Sequence, residues 1–350
     1  MNQMKKAIAA ILSVMLLSLG GCSAKSPESK APEMPASEPS AETPAEETVS
    51  ESAAHYPVKI QSDGSELLVE KMPEKAVIFN YDIAEIMSAL GLADKIYAFR
   101  GGHQTAEDVL PQYRDAILNL KDTESIAAEK GFPTLENMLS LEPDMVIMPS
   151  YYFNNDVFGK KEDYAQNNIP LYITEGTSVP SCTIENTYND ILNIGRIFDR
   201  EERATELIEE MKTRVKAVEE KMQGKKKLKV MGLDSEHNGK LVSWGGVGLA
   251  NDLVRLAGGE NIFASAQKQF PHVSWEEVIA ADPDIIVIAA YEDDNKGQAK
   301  VDLLKNNPQT AGLNAVKNDR IIIVPLFSVF PGLQNVDTVE AISEAILDAQ

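Results

Sequence analysis

Apolar and polar positions along this chain follow two periods. The runs KAVIFN (75–80), KIYAF (95–99), MVIMPS (145–150), IPLYIT (169–174), KLKVMGL (227–233), IIVI (285–288) and DRIIIVP (319–325) are short and nearly continuously apolar. Such runs predict strands buried on both faces of a mainly parallel sheet. Between them, apolar residues recur every three or four positions, which predicts helices. These are DIAEIMSALGLAD (82–94), TLENMLSLE (134–142), about Ile184 to Phe198, GLANDLVRLAGG (248–259), KVDLLKNN (300–307) and VDTVEAISEAILDAQ (336–350). PVKIQS and SELLVEKM alternate apolar and polar around Asp63-Gly64, the pattern of a short hairpin.

The longest periodic stretch is 199–224, where Ala204, Leu207, Ile208, Met211, Val215, Val218 and Met222 form one stripe. Asp199 suits its N-cap, Glu201 and Glu202 its first turn, and Gly224 its end. Strands and helices alternate before this helix and restart after it. The predicted fold class is therefore α/β, with two lobes at 56–198 and 225–350 joined by one long helix at 199–224.

One unit occurs twice. LENMLSLEPDMVIM (135–148) and WEEVIAADPDIIVI (275–288) align at an offset of 140 residues. Glu136 matches Glu276, and Pro143-Asp144 matches Pro283-Asp284. Each copy predicts a helix carrying a glutamate in its first turn, where the helix dipole favours a carboxylate. A Pro-Asp turn and a core strand follow. Equivalent positions in two pseudo-symmetric lobes would set Glu136 and Glu276 on one outer face.

Composition alters this picture mainly at the N-terminus. Lys5 and Lys6 precede the apolar run AIAAILSVMLLSLG (7–20), followed by LGGC. This pattern reads as a secretory signal over 1–21, with Cys22 in a sequence similar to a bacterial lipobox and hence lipidated. The run is shorter than the roughly 20 apolar residues a membrane span needs. Acyl chains add about 0.8 kcal/mol for each buried methylene, so two or three of them anchor firmly. Residues 22–55 are rich in Ser, Pro, Ala and Glu and read as a disordered tether. With Cys22 acylated, Cys182 has no intrachain partner and reads as a small buried hydrophobe.

The 350 residues carry 54 acidic and 33 basic side chains, a formal charge of −21. That balance speaks against nucleic acid, whose phosphates need clustered Lys and Arg. The four histidines, His55, His103, His237 and His272, show no paired metal-ligand spacing. There is no G-x-S-x-G elbow, and WGGVGLAND (244–252) fits neither nucleotide-binding glycine pattern and reads as a turn. No enzyme activity, cofactor or resident metal is expected.

Two α/β lobes, one linking helix, the lipobox, TLENMLSLEPDMVI and VSWEEVIAADPDIIVI together resemble the periplasmic-binding-protein family that serves ABC importers of iron-siderophores, haem and cobalamin. AEIMSALGLADKIYAF, NDILNIGRIFDREERATELIEEM, LVRLAGGENIF and AVKNDRIIIVP extend the likeness over about 73–350. The resemblance implies a monomer that is lipid-anchored outside the cytoplasm and binds an iron chelate in a cleft between its lobes. It implies an ABC permease with its ATPase as partner, docked through Glu136 and Glu276. The membrane is reached only through the lipid anchor.

The cleft is expected at strand-end loops. From the first lobe these offer Asn80 with Tyr81, Arg100, His103, Tyr151, Tyr152 and Phe153. From the second come Trp244, Phe270, His272, Phe327 and Phe330. Arg100 suits the negative charge of a ferric siderophore, the first-ranked ligand, and Tyr151, Tyr152 or His272 could ligate haem iron. Haem or cobalamin is the alternative, and a lipid-anchored sensor or adhesion module without transport is a third reading.

Overall fold

The computed structural model describes residues 55–101, 108–120, 134–154, 158–237, 239–291, 295 and 297–350. Cys22 and His103 therefore lie outside the described residues. The described chain opens with β1 (Val58–Ser62) and β2 (Ser65–Val69), paired antiparallel from Val58↔Val69 to Ser62↔Ser65. Asp63 and Gly64 both take left-handed φ, 49° and 75°, the turn whose twist suits a two-residue hairpin. His55 and Tyr56 are both tied to the end of the helix at Ile184–Ile197. The His55 ring bonds the Arg196 carbonyl at 2.7 Å, and the Tyr56 hydroxyl donates to that of Ile197 at 2.7 Å.

The first lobe continues with β3 (Ala76–Phe79), α1 (Tyr81–Ala89), β4 (Ile96–Arg100), α2 (Pro111–Leu118) and α3 (Leu135–Ser140). β5 (Met145–Met148), α4 (Lys161–Gln166) and β6 (Leu171–Ile173) follow. The strands pair in parallel in the order β4-β3-β5-β6. Every residue of β3 and β5 is buried, but alternate residues enter different cores. Ala76, Ile78, Met145 and Ile147 join the large central cluster. Val77, Phe79, Val146 and Met148 join an outer one with Met138, Phe158 and Tyr164. Two buried faces explain why these strands read as unbroken apolar runs.

α5 (Glu175–Ser178) and α6 (Ile184–Ile197) lead into the 22-residue α7 (Glu201–Met222), whose seven stripe residues are all buried. The second lobe comprises β7 (Lys229–His237), β8 (Lys240–Ser243), α8 (Leu249–Leu256), β9 (Glu260–Asn261), β10 (His272–Val273) and α9 (Trp275–Ala281). It ends with β11 (Ile285–Ala290), α10 (Gln298–Asn306), α11 (Asn314–Lys317), β12 (Ile321–Pro325) and α12 (Asn335–Asp348). Its sheet runs β10-β8-β7-β11-β12, with β9 also on β7. Pairings of β7 with β9, and of β11 with β7 and β12, are parallel, while β8 pairs antiparallel with β7 and β10.

The lobes share one core. The central cluster runs from Ile83 through Ile191 and Ile194 of α6 and Leu207 and Val215 of α7 to Leu253, Val287 and Val339. Polar bonds cross the same junction: Ile184 N–H to Asp252 Oδ2 at 3.0 Å, Thr187 Oγ1 to Asn335 Oδ1 at 2.8 Å, and Cys182 N–H to the Val247 carbonyl at 2.9 Å. Separating the lobes would expose apolar area at about 25 cal/mol per Å², which favours a stiff pair. Cys182 is buried and its thiol is pushed up to about 12 by burial, the behaviour of a packing residue.

The repeated unit has the same construction in both lobes. Thr134 and Ser274 are capping-box N-caps of α3 and α9, accepting from Asn137 N–H and Glu277 N–H. The inward residues Met138 and Val278 are fully buried. Glu142 and Asp282 leave their helices at φ 48° and 46°. The aspartates that follow then tie neighbouring strands: Asp144 accepts from Glu74 and Lys75 N–H at 2.9 and 2.8 Å, and Asp284 from Lys229 N–H at 2.9 Å. The Pro-Asp repeat is thus a strand latch. Glu136 and Glu276, in the first turns, remain exposed.

Candidate ligand cleft between the lobes

The C-terminal ends of β3, β5, β11 and β12 converge on a cavity of about 600 Å³. This is the position where open α/β sheets bind ligands, and the volume lies in the range of roughly 300–1,000 Å³ found for small-molecule sites. A larger groove of about 740 Å³ lies between the β1–β2 hairpin and β6. Its lining includes Asp63, Glu66, Glu70, Lys71 and Lys161, and none of the loops that follow β3, β5, β11 and β12. The inter-lobe cavity is the better candidate.

Asn80 follows β3 directly and sits at φ 72°, ψ 151°, a conformation that costs a non-glycine residue on the order of 1–3 kcal/mol. Its N–H bonds the Arg100 carbonyl at 2.7 Å. Its side chain joins two phenols: Nδ2 donates to the Tyr151 hydroxyl, and Tyr152 donates to Oδ1 at 2.7 Å. Both tyrosines lie on the short helical turn after β5. Burial is the main cause that raises both phenols above their ordinary range, so they remain protonated at neutral pH.

The second lobe supplies Phe270, Phe330 and Tyr291. Phe270 and Phe330 stack at 5.9 Å and 27°, and Phe330 meets Tyr151 of the opposite lobe edge-on at 6.3 Å. Tyr291 donates to Asp234 Oδ2 at 3.1 Å while the Lys300 ammonium lies 4.4 Å from its ring centre. The loop bearing Gln269 and Phe270 rests on Gly245 and Gly246, whose N–H groups bond the carbonyls of Gln269 and Ala266 at 2.8 and 2.9 Å. A Cβ on either glycine would lie within about 2 Å of a loop carbonyl oxygen. The glycines of WGGVG are there for this close approach.

Thus Asn80, Tyr151, Tyr152, Phe270 and Phe330 line the cleft, as the strand-end argument expects, and six other described candidates do not. Trp244 is fully buried against Gly232, and Phe327 is 1% exposed in the core. His272 is exposed on the edge strand β10, where the alternation turns Val273 inward instead. Tyr81 packs edge-on to Phe99 at 4.9 Å and lies over Gly101. Arg100 is buried at the end of β4 and is not among the lining residues. Phe153 turns away to Tyr164 at 6.1 Å.

Sequence reasoning missed Tyr291, Gln269, Thr177 and Asn154, which also line the cavity. Tyr291 was accessible to the same rule, because it immediately follows the strand β11.

No described lining residue carries a formal charge. Among the described residues there is also no cluster of three His, Cys, Asp or Glu side chains able to hold a metal ion. The cavity can offer aromatic faces, phenol hydroxyls and carboxamides.

Two carboxyls lie behind the first-lobe wall. Burial pushes Asp82 up to about 8, and burial likewise pushes Glu85 up to about 7. Glu85 Oε1 accepts from Leu110 N–H at 2.6 Å and from Gln334 Nε2 of the second lobe at 2.8 Å.

Comparison with known proteins agrees with this architecture. A vitamin B12-binding protein of Vibrio campbellii is 24% identical over 213 residues, 61% of this chain and 70% of that protein. A periplasmic binding protein of Veillonella parvula superposes with TM-score 0.73 at 25% identity, covering 83% of this chain and 97% of its own. A structure from an Fe3+-hydroxamate transport system of Saccharomonospora viridis gives TM-score 0.71 at 24% identity, covering 83% and 99%. The family model described as periplasmic binding protein matches residues 77–326, and the chain belongs to that family.

Proposed function

We propose that this chain is the substrate-binding component of an ABC importer and captures a ferric siderophore in the cleft between its lobes. The observation that carries the choice is the uncharged lining of phenols, phenyl rings and carboxamides. Burying an unpaired ionic group is costly, so this lining favours a chelate without net charge. A ferric trihydroxamate meets that condition, since three monoanionic groups balance the ferric ion. Haem would bring two propionates to a wall with no described cation among its lining residues.

A corrinoid is the second reading. It is favoured by the carboxamides Asn154 and Gln269 in the lining, which suit an amide-rich periphery, and by the vitamin B12-binding relative.

Delivery to a permease is assigned to Glu136 and Glu276, one exposed carboxylate on each copy of the repeated unit. Exposed ion pairs alone are worth about 0–1 kcal/mol, whereas interfacial charge pairs reach about 1.5–7 kcal/mol, enough to set docking register. Acylation at Cys22 would hold the protein at the outer face of the membrane.

Calorimetric titration with a ferric trihydroxamate, cyanocobalamin and haemin tests the ligand assignment. One-to-one binding of the trihydroxamate with Kd below about 1 µM is the expected result. Tighter binding of cyanocobalamin transfers the assignment to the second reading. Binding of none of the three overturns the transport function in favour of an interaction module.

A further inference from the structure

The most constrained residue of the cleft wall has no need to touch the ligand. Asn80 holds φ 72° and ψ 151°, a region that strain keeps nearly empty of residues other than glycine. That backbone geometry places its carboxamide between two phenols, with one end committed to each. The order of donors follows from the hydrogen bonds. Tyr152 directs its proton to Asn80 Oδ1 at 2.7 Å. Asn80 must then present its amino group to Tyr151, whose oxygen accepts. An oxygen that accepts from Asn80 keeps its own proton for another partner. No other described residue takes that proton, and Tyr151 lines the cavity.

We propose that Asn80 is a positioning residue that passes a fixed hydrogen-bond direction from Tyr152 to Tyr151, so that the Tyr151 hydroxyl enters the cleft as a donor. Resting on the proposed function, this adds a specificity element: the first lobe reads a hydrogen-bond acceptor, such as a hydroxamate or carboxamide oxygen, on the chelate surface. The C-lobe phenol has the opposite bias, since Tyr291 directs its proton to Asp234. The two walls thus differ in polarity although each presents a tyrosine. Orientation of the ligand between the lobes follows from that difference.

The test is Asn80→Asp, which keeps the shape and exchanges the amino group for an oxygen. An ionised carboxylate accepts from both phenols, turns the Tyr151 proton inward and leaves only its lone pairs for the ligand. At pH 8, the ferric trihydroxamate should bind this variant roughly 10- to 100-fold more weakly than wild type, the loss expected for one buried donor. On lowering the pH to 5 the new carboxyl protonates, regains a donor for Tyr151, and the ratio to wild type should shrink. Measuring wild type over the same range removes the titration of Asp82 and Glu85 from the comparison. Tyr151→Phe should lose a similar factor without pH dependence, and adding Asn80→Asp to it should cost little more.

Unchanged affinity of Asn80→Asp at pH 8, a ratio that does not move with pH, or additive losses in the double variant would each overturn the relay. If wild type binds cyanocobalamin or haemin instead, the same variants are read with that probe. Binding of no probe by wild type overturns the proposed function and the relay together, an outcome distinct from a relay failure in a protein that binds.

Discussion

Glu85→Gln should stabilise the protein at high pH and leave it nearly unchanged at low pH. Glu85 lies on α1 with Oε1 accepting from Leu110 N–H and Gln334 Nε2, while Oε2 is buried without a partner among the described residues. Burial lifts its pKa from 4.5 to about 7, so the folded protein holds this proton more tightly than the unfolded chain. A raised carboxyl pKa contributes stability that is fully present below about 4.5 and is lost as pH rises through about 7. At about 1.4 kcal/mol for each pKa unit, the loss is about 3 kcal/mol. Glutamine keeps the accepting Oε1 and the shape of the neutral acid, so it removes the pH-linked part alone. Urea unfolding of wild type and Glu85→Gln at pH 5, 6, 7 and 8 measures this directly. The variant's advantage should grow from about 1 kcal/mol at pH 5 toward about 3 kcal/mol at pH 8, most of it gained by pH 7. A difference that is constant with pH, or a variant destabilised at pH 8, would refute the reasoning.

Three further outcomes are expected. Charge reversal at both docking positions, Glu136→Lys with Glu276→Lys, should abolish uptake in cells while the purified protein keeps its wild-type ligand affinity; lost affinity would contradict the docking role. Gly246→Ala places a Cβ about 1.9 Å from the Ala264 carbonyl oxygen. It should cost about 1–3 kcal/mol in urea unfolding and weaken ligand binding through the displaced Phe270 loop. Asp284→Ala breaks the strand latch to Lys229 and the 2.7 Å bond from Asn314 Nδ2, and a lower urea midpoint by about 1–3 kcal/mol is expected. Phe270, on another loop, should keep its contribution to binding in that variant.

Much of the fold was legible because burial and periodicity coincide. The α7 stripe and the two-faced strands β3, β5 and β11 each carry enough consecutive residues for the pattern to stand out. β8, with four residues of mixed polarity, and β10, with two, are held by their neighbours in the sheet and leave little trace of their own. The repeated unit was visible through its glutamates and Pro-Asp pairs. The role of those aspartates as strand latches depends on backbone N–H groups about 55 to 70 residues away, which no local pattern displays.

The cleft was partly legible for a similar reason. Strand ends point to Asn80, Tyr151 and Phe330, because parallel strands place their C-terminal loops together. Phe270 instead precedes the antiparallel β10 and reaches the cleft on the loop that rests on Gly245 and Gly246. Side-chain direction is decided by tertiary space. Trp244 leaves the same kind of loop but fills the gap opposite Gly232, and the large area it hides outweighs any role at the surface. Arg100 is buried at the end of β4 instead of reaching the cleft.

The location of bound iron tests the central claim most directly. Crystals of the protein grown with a ferric trihydroxamate, with data collected at the iron absorption edge, would report the metal by anomalous scattering. The expected result is one iron peak in the inter-lobe cavity, between Tyr151 of the first lobe and the Phe270–Phe330 pair of the second. A peak in the groove beside the β1–β2 hairpin, or none in the cleft at saturating chelate, would contradict it.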